Sequence, residues 1–193
     1  MTLDWFSVYA PIYDPFVRLM RVAPVAPLLE LVGLQLHESV LDVGGGTGRV
    51  AAVAAKYTKE TVILDPCEAM LKRVPLLPNL RVVTGRAQEM PFEDGSFDVV
   101  LCVDALHHIK DAPAAAAEMY RVLRPGGRIL VQEFDVRGWR GKAVVAFEHI
   151  FVDHSKFVDP ESLEAIFRNT GIHGQSIQRS WLEYAFLGVK GAS

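Results

Sequence analysis

This chain has little of what marks the specialised protein classes. Its two cysteines, Cys67 and Cys102, lack metal-site spacing, which argues against a disulfide scaffold or a cysteine-rich zinc site. Both lie in apolar or helical contexts, where reduced intracellular thiols are the simplest account. Basic residues number 20 against 23 acidic ones, a net charge of -3, and no basic block occurs. A surface that tracks a phosphate backbone is therefore not expected, and nucleic acid is a poor partner. Long apolar runs are missing as well. The most apolar stretch, residues 22–36, is interrupted by Pro24, Pro27, Glu30 and Gly33, so no membrane span is expected. The start carries Asp4 rather than a basic region followed by an apolar core. A cytoplasmic location without a secretory leader is the resulting expectation. There is no internal repeat and no low-complexity linker.

What is present is the composition of an ordinary globular enzyme. Half of the 193 residues are hydrophobic and 22% are charged, enough for one domain, residues 1–193, to bury a core without metals or disulfides. Residues 1–36 read as a helical N-terminal extension rich in aromatics, with Pro11, Pro15, Pro24 and Pro27 as breaks. From residue 37 onward, short apolar runs alternate with helical patterns. Strands are expected at 39–43, 61–64, 80–83, 96–103 and 128–133, and helices at about 48–57, 67–74, 112–123, 139–152 and from Pro160 to near Gly171. A closing hairpin is expected near 173–181 and 184–190. The pattern predicts an α/β fold, a three-layer Rossmann-like arrangement around a seven-stranded, mostly parallel sheet with an antiparallel last strand. Such sheets bind ligands outside the carboxyl ends of their strands.

The most informative segment is Val40-Leu-Asp-Val-Gly-Gly-Gly-Thr-Gly48. An apolar strand ends at the carboxylate Asp42, and the loop Gly44, Gly45, Gly46 and Gly48 leads into an alanine-rich helix. Glycines there let backbone N–H groups approach a ligand closely. A dinucleotide fingerprint would place its third glycine at position 49, which is Arg49. An acid so near the loop suits a ligand with an ammonium group better than pyrophosphate. Asp65, at the end of the second strand, can accept hydrogen bonds from two vicinal ribose hydroxyls.

The acid-x-Gly-x-Gly-x-Gly spacing of Asp42, Gly44, Gly46 and Gly48 resembles the first motif of class I S-adenosylmethionine (SAM) methyltransferases. Three further segments resemble that family in order: Asp65-Pro66-Cys-Glu-Ala-Met-Leu, then Gly85-Arg-Ala-Gln-Glu-Met-Pro-Phe running into the fourth strand, then Leu123-Arg-Pro-Gly-Gly-Arg-Ile-Leu-Val. Together they cover about residues 38–135. The resemblance implies SAM as cofactor, held by the glycine loop, Asp65 and Pro66, with Asp104 beside its methionine end. One position departs from the family. Where an acid commonly accepts the adenine amino group stands Arg86, which has no acceptor. Ala87 and Gln88 then take over, or the adenine is held by stacking and apolar contact.

For chemistry, His107, His108 and Glu133 are the candidate bases. His149, Asp153 and His154 lack the partners of a metal site, and no metal is expected. The opening Tyr9-Ala-Pro-Ile-Tyr13-Asp14 looks like the segment that begins many small-molecule methyltransferases, including quinone- and sterol-methylating ones. It implies a lid in which Tyr9 and Tyr13 wall the acceptor pocket. The expectation is a SAM-dependent methyltransferase acting on a small, apolar or aromatic acceptor. The alternative is a SAM-binding regulatory module of the same fold that transfers nothing. A nicotinamide dehydrogenase is disfavoured by the glycine spacing. Oligomeric state stays open.

Overall fold

The computed structural model describes residues 24–138 and 155–192. Tyr9, Tyr13, the 139–152 helix, and His149, Asp153 and His154 lie outside the described residues. The first described helix, α1 (Val25–Val32), starts directly after Pro24. Pro27 does not break it, contrary to the sequence expectation. It lies in the first turn, where a missing N–H costs nothing because that donor has no helical acceptor. Gly33 ends α1 in a left-handed conformation, its N–H returning to the Leu29 carbonyl.

Five strands follow in alternation with helices: β1 (Ser39–Val43), β2 (Glu60–Asp65), β3 (Leu80–Thr84), β4 (Phe97–Val103) and β5 (Leu123–Phe134). The intervening helices are α2 (Ala51–Ala54), α3 (Glu68–Leu71) and α4 (Ala112–Val122). After α5 (Pro160–Thr170) come β6 (Ile172–Gln178) and β7 (Glu183–Lys190). The sheet runs β3-β2-β1-β4-β5-β7-β6, with β1 to β5 parallel. The closing hairpin does not simply extend the edge. β7 inserts between β5 and β6, antiparallel to both, so it is the one reversed strand of the sheet.

Two helices are shorter than their sequence patterns suggest. Past Ala55 the amides turn to acceptors three residues back, as in Lys56 to Val53 and Tyr57 to Ala54. The same tightening follows α3, at Arg73 to Met70 and Val74 to Leu71. Three-residue hydrogen bonding is a common way to end a short helix. β5 is longer than expected, because Leu123 already pairs with Phe97 before the register shifts to Val99 opposite Arg128. Gly126, at φ +74°, makes the detour possible.

β1, β2 and β4 are buried nearly throughout, as both faces of the sheet are covered. One face carries α1 and α2, with Leu28, Leu29, Val32, Val50 and Ala54 against Val40, Val99, Leu101 and Leu130. The other carries α4 and α5, with Met119, Val122, Leu163 and Phe167 against Leu41, Val62, Val100 and Ile129. Arg128 ties α1 down: its guanidinium donates to the Val32 and Gly33 carbonyls and makes a two-pronged pair with Glu38. Asp98 is structural at the start of β4, accepting from the Ser39 amide and pairing with Arg124. Strand order reverses between β1 and β4, and that switch point opens a crevice at the strands' carboxyl ends.

Candidate cofactor and active site

The crevice holds a cavity of about 140 Å³ lined by Gly44, Gly46, Asp65, Pro66, Cys67, Met70, Asp104, Ala105, His108 and Ile109. Two of its walls are loops that nearly touch. Gly44 has φ +70°, and a Cβ there would come within 2.6 Å of the Ala105 Cβ. No side chain fits between the loop after β1 and the loop after β4. Gly45 is equally constrained from below, where a Cβ would meet the Asp42 carboxylate at 2.8 Å.

Asp42 does not face the cavity lining. It is buried, and its Oδ2 accepts the Ala51 amide at 3.1 Å, under the glycine loop. Burial pushes its carboxyl up to about 7, while Arg49 and the Ala51 N–H pull the other way. Asp65 reaches the loop from β2, its Oδ2 accepting the Gly46 amide at 2.9 Å and its Oδ1 the Cys67 amide at 2.8 Å. A carboxylate oxygen carries two lone pairs, so it can accept more than one donor. Gly45 and Gly48 lie outside the lining, as do Ala87 and Gln88; Arg86 is exposed and bridges to Glu89.

Asp104 enters from the other side. It is the only non-glycine residue with positive φ (54°) among the described residues, a conformation that costs about 1 kcal/mol and is retained where surrounding structure imposes it. Its amide donates to the Gln132 carbonyl, and its Oδ2 pairs with Arg49 at 2.8 Å. Burial pushes its carboxyl up to about 6 against the pull of Arg49.

Beyond Asp104 the chain forms a short 3-10 turn, Leu106–His108. Glu133, buried at the end of β5, anchors it. Its Oε1 accepts the Leu106 and His107 amides at 2.8 and 3.4 Å, and its Oε2 lies 2.6 Å from His107 Nδ1. The His107 ring stacks on Phe157 and lies outside the cavity lining. His108 faces the cavity, with Ser155 Oγ 3.3 Å from its Nδ1. Burial, then the neighbouring His107, holds the His108 imidazole well below its ordinary range, so at neutral pH it is uncharged.

The sequence expectations therefore divide. Asp65, Pro66, Gly44, Gly46, Asp104 and His108 converge on one cavity, whereas Asp42, Gly45, His107 and Glu133 hold its walls. Sequence reading missed Arg49 as a partner of Asp104, although its place where a dinucleotide pattern wants glycine was a signal. It also missed Gln132, a polar side chain in an apolar strand, and Arg121. The Arg121 guanidinium donates to the Met90 and Phe92 carbonyls and pairs with Glu118 and Asp94, pinning the Met90–Asp94 loop to α4.

The donor set tests which ligand fits. Among the described residues no lysine or arginine lines the cavity, so pyrophosphate finds no counter-charge from them. Two acids on the lining, Asp65 and Asp104, suit hydroxyls and an ammonium. Apolar Pro66, Cys67, Met70 and Ile109 suit a flat base. A SAM-like molecule meets these demands.

Known proteins agree. Residues 41–131 match the methyltransferase domain family. The ubiquinone/menaquinone biosynthesis C-methyltransferase UbiE of Escherichia coli is 35% identical over 116 residues, covering 55% of this chain and 46% of the relative. The chain thus spans about half the length of the curated relatives it matches. Among solved structures, a chain from the complex between the Haloferax volcanii Trm112 methyltransferase activator and a methyltransferase superposes with a TM-score of 0.86 at 16% identity, covering 99% of this chain and 100% of that one. Haemonchus contortus phosphoethanolamine N-methyltransferase 2, solved in complex with SAM, gives a TM-score of 0.74 at 20% identity over 86% of this chain and 52% of that one. Motif order, sheet topology and relatives converge: residues 41–131 match the methyltransferase domain family, and the chain resembles class I SAM-dependent methyltransferases of the quinone-methylating branch.

Proposed function

We propose that this protein transfers a methyl group from SAM to a small apolar or aromatic acceptor, with a quinol-like ring as the first choice. The observation that carries the reading is the one cavity lined by Asp65, Asp104 and His108, which brings a hydroxyl-binding acid, an ammonium-binding acid and a neutral imidazole to one space. The likeness to UbiE supports the acceptor class.

When bound, SAM supplies a methyl group already activated by its sulfonium. Asp65 accepts the ribose hydroxyls while keeping the Gly46 and Cys67 amides in place. Pro66 and Met70 wall the adenine by apolar contact, in keeping with the exposed position of Arg86. Asp104 takes the ammonium end. His108 orients the acceptor by accepting a hydrogen bond. Its depressed basicity makes it a weak proton acceptor, so the reaction suits a nucleophile that is already electron-rich. His107 and Glu133 act as positioning residues, since they fix the turn that carries His108 and do not line the cavity. Holding donor and acceptor in line and excluding water is most of what such a displacement asks of a protein.

The test is transfer of labelled methyl from SAM to a panel of hydroquinones, phenols, amines and thiols. Label in an aromatic acceptor is the expected result. Asp65→Ala should weaken SAM binding at least about 30-fold, because charge-assisted hydrogen bonds are worth about 1.5–3 kcal/mol each. Tight SAM binding with no transfer to any class would replace this reading with the regulatory one.

A further inference from the structure

Three consecutive residues, 155–157, meet the two histidines of the 3-10 turn one after another. The Lys156 amide donates to the His107 carbonyl at 2.7 Å. The Phe157 ring stacks on the His107 ring, with centroids 4.8 Å apart and planes 15° from parallel. Ser155 Oγ lies 3.3 Å from His108 Nδ1. The residues that follow are tied down as well. The Val158 carbonyl accepts the Tyr184 hydroxyl at 2.6 Å, and Asp159 caps the start of α5. Ser155 is therefore no loose surface hydroxyl: it is 7% exposed, and the backbone beside it is fixed on the turn. His108 packs beside His107, ring centroids 3.9 Å apart, and lines the cavity. The segments that resemble the family end near residue 135, so this serine belongs to a part of the chain that they leave unexplained.

We propose that Ser155 is a positioning residue for methyl transfer: its hydroxyl oxygen accepts the Nδ1–H of His108 and fixes the imidazole in the tautomer whose Nε2 lone pair takes a hydroxyl hydrogen of the acceptor. The proposal rests on the reading of the cavity as a methyl-transfer site and adds to it the acceptor class, a ring that bears a free hydroxyl. A neutral imidazole has one N–H and one lone pair, and the partner of one nitrogen decides what the other offers. The ring is neutral here, because burial and His107 disfavour its charge. With no partner at Nδ1 the proton could sit on either nitrogen, and the ring would offer a donor or an acceptor by turns. A separation of 3.3 Å is long for such a bond, yet hydrogen bonds at catalytic sites are often long before substrate enters and tighten in the complex. Lys156 and Phe157 hold the serine's backbone on the same turn that carries His108, so serine and imidazole stay in register. His107 cannot take this role, because its Nδ1 belongs to Glu133 and its ring lies between Phe157 and His108.

Two readouts test it. Nitrogen-15 NMR of the imidazoles reports the tautomer directly and needs no turnover, the His108 signals being those that vanish in His108→Gln. The expected result is an Nδ1–H imidazole in the wild type, a shift towards the Nε2–H form in Ser155→Ala, and a return in Ser155→Thr, which keeps the hydroxyl. An Nε2–H imidazole in the wild type overturns the proposal, and so do signals that Ser155→Ala leaves unchanged. The second readout is calorimetric binding of a hydroquinone and of its di-O-methyl ether to protein saturated with the demethylated cofactor, S-adenosylhomocysteine. In Ser155→Ala the hydroquinone should weaken about fivefold, the worth of one neutral hydrogen bond, while the ether, which has no hydroxyl to give, changes less than about twofold. Equal weakening of both overturns the proposal and leaves the serine as a strut under the turn. The failure of the wider reading looks different: if no acceptor class receives labelled methyl, methyl transfer falls and the role of Ser155 falls with it. Label in an acceptor together with the wrong tautomer overturns the role of Ser155 alone.

Discussion

The loops after β1 and β4 line one cavity and are held by carboxylates drawn from different distances along the chain. The first is short-ranged and almost without side chains. Its backbone amides are gripped from below by Asp42, through Ala51, and from the neighbouring strand by Asp65, through Gly46. The second carries functional side chains of its own, Asp104 and His108, and is gripped by Glu133 from β5 through the Leu106 and His107 amides and the His107 ring. In both cases a buried carboxylate from a sheet strand secures backbone N–H groups in a loop that has no helix or ladder to satisfy them. What differs is the reach. The first loop brings its own acid from β1 and borrows one from β2, whereas the second depends on a strand more than twenty residues further along the chain.

That difference can be broken from the side of the second loop. Glu133→Ala leaves two buried amides and the His107 ring without their acceptor, and should cost about 3 kcal/mol. Urea unfolding measures it, and Glu133→Gln, which keeps an oxygen for Leu106, should lose clearly less. A loss under about 1 kcal/mol would mean that the second loop is held by something else. The first loop should break through shape rather than charge. Gly45→Ala drives a methyl into the Asp42 carboxylate, which is pinned by Ala51, at an expected cost of about 2 kcal/mol, again read by urea unfolding. Equal stability of this variant would show that Asp42 can move and that the first loop is not tightly anchored.

The smallest effect is one of pH. Burial raises the carboxyls of Asp42 and Asp104 in the fold to about 7 and about 6, from an ordinary aspartate value of 3.8. Through that window the ligand-free fold binds more protons than the unfolded chain. These groups therefore favour the fold at the acid end, and that stabilisation is lost as pH rises through about 6 for Asp104 and about 7 for Asp42. An ammonium-bearing ligand needs ionised Asp104, so the affinity for S-adenosylhomocysteine should fall up to about tenfold per unit below pH 6. Asp104→Asn should flatten that slope, and a slope unchanged in the variant would place the ammonium elsewhere.

Much of the β1 side was legible in the linear sequence. Asp42 and the glycines all fall within residues 42–48, and a strand that ends in a glycine loop has few other uses. Even there, the sequence suggested a ligand role for Asp42 where the structure gives it the Ala51 amide. Strand positions were read from short apolar runs, since burial on both faces leaves few polar interruptions. Helix lengths were overstated at α2 and α3, as alanine and leucine favour a helix that the backbone ends early with three-residue hydrogen bonds. Pro27 was read as a break because a helix start cannot be recognised until the end of the preceding segment is known.

By itself, the sequence determined the alternation of strands and helices, the glycine loop and the acid after β2, because each is written in neighbouring residues and acts through local backbone geometry. Only the tertiary structure decided that β7 inserts between β5 and β6, that Glu133 grips the turn bearing His108, and that Arg49, Asp104 and Gln132 meet. Those outcomes depend on sheet order, which brings distant side chains to one edge, and on burial, which leaves a carboxylate or an amide oxygen no water to turn to. No local pattern of residues encodes either.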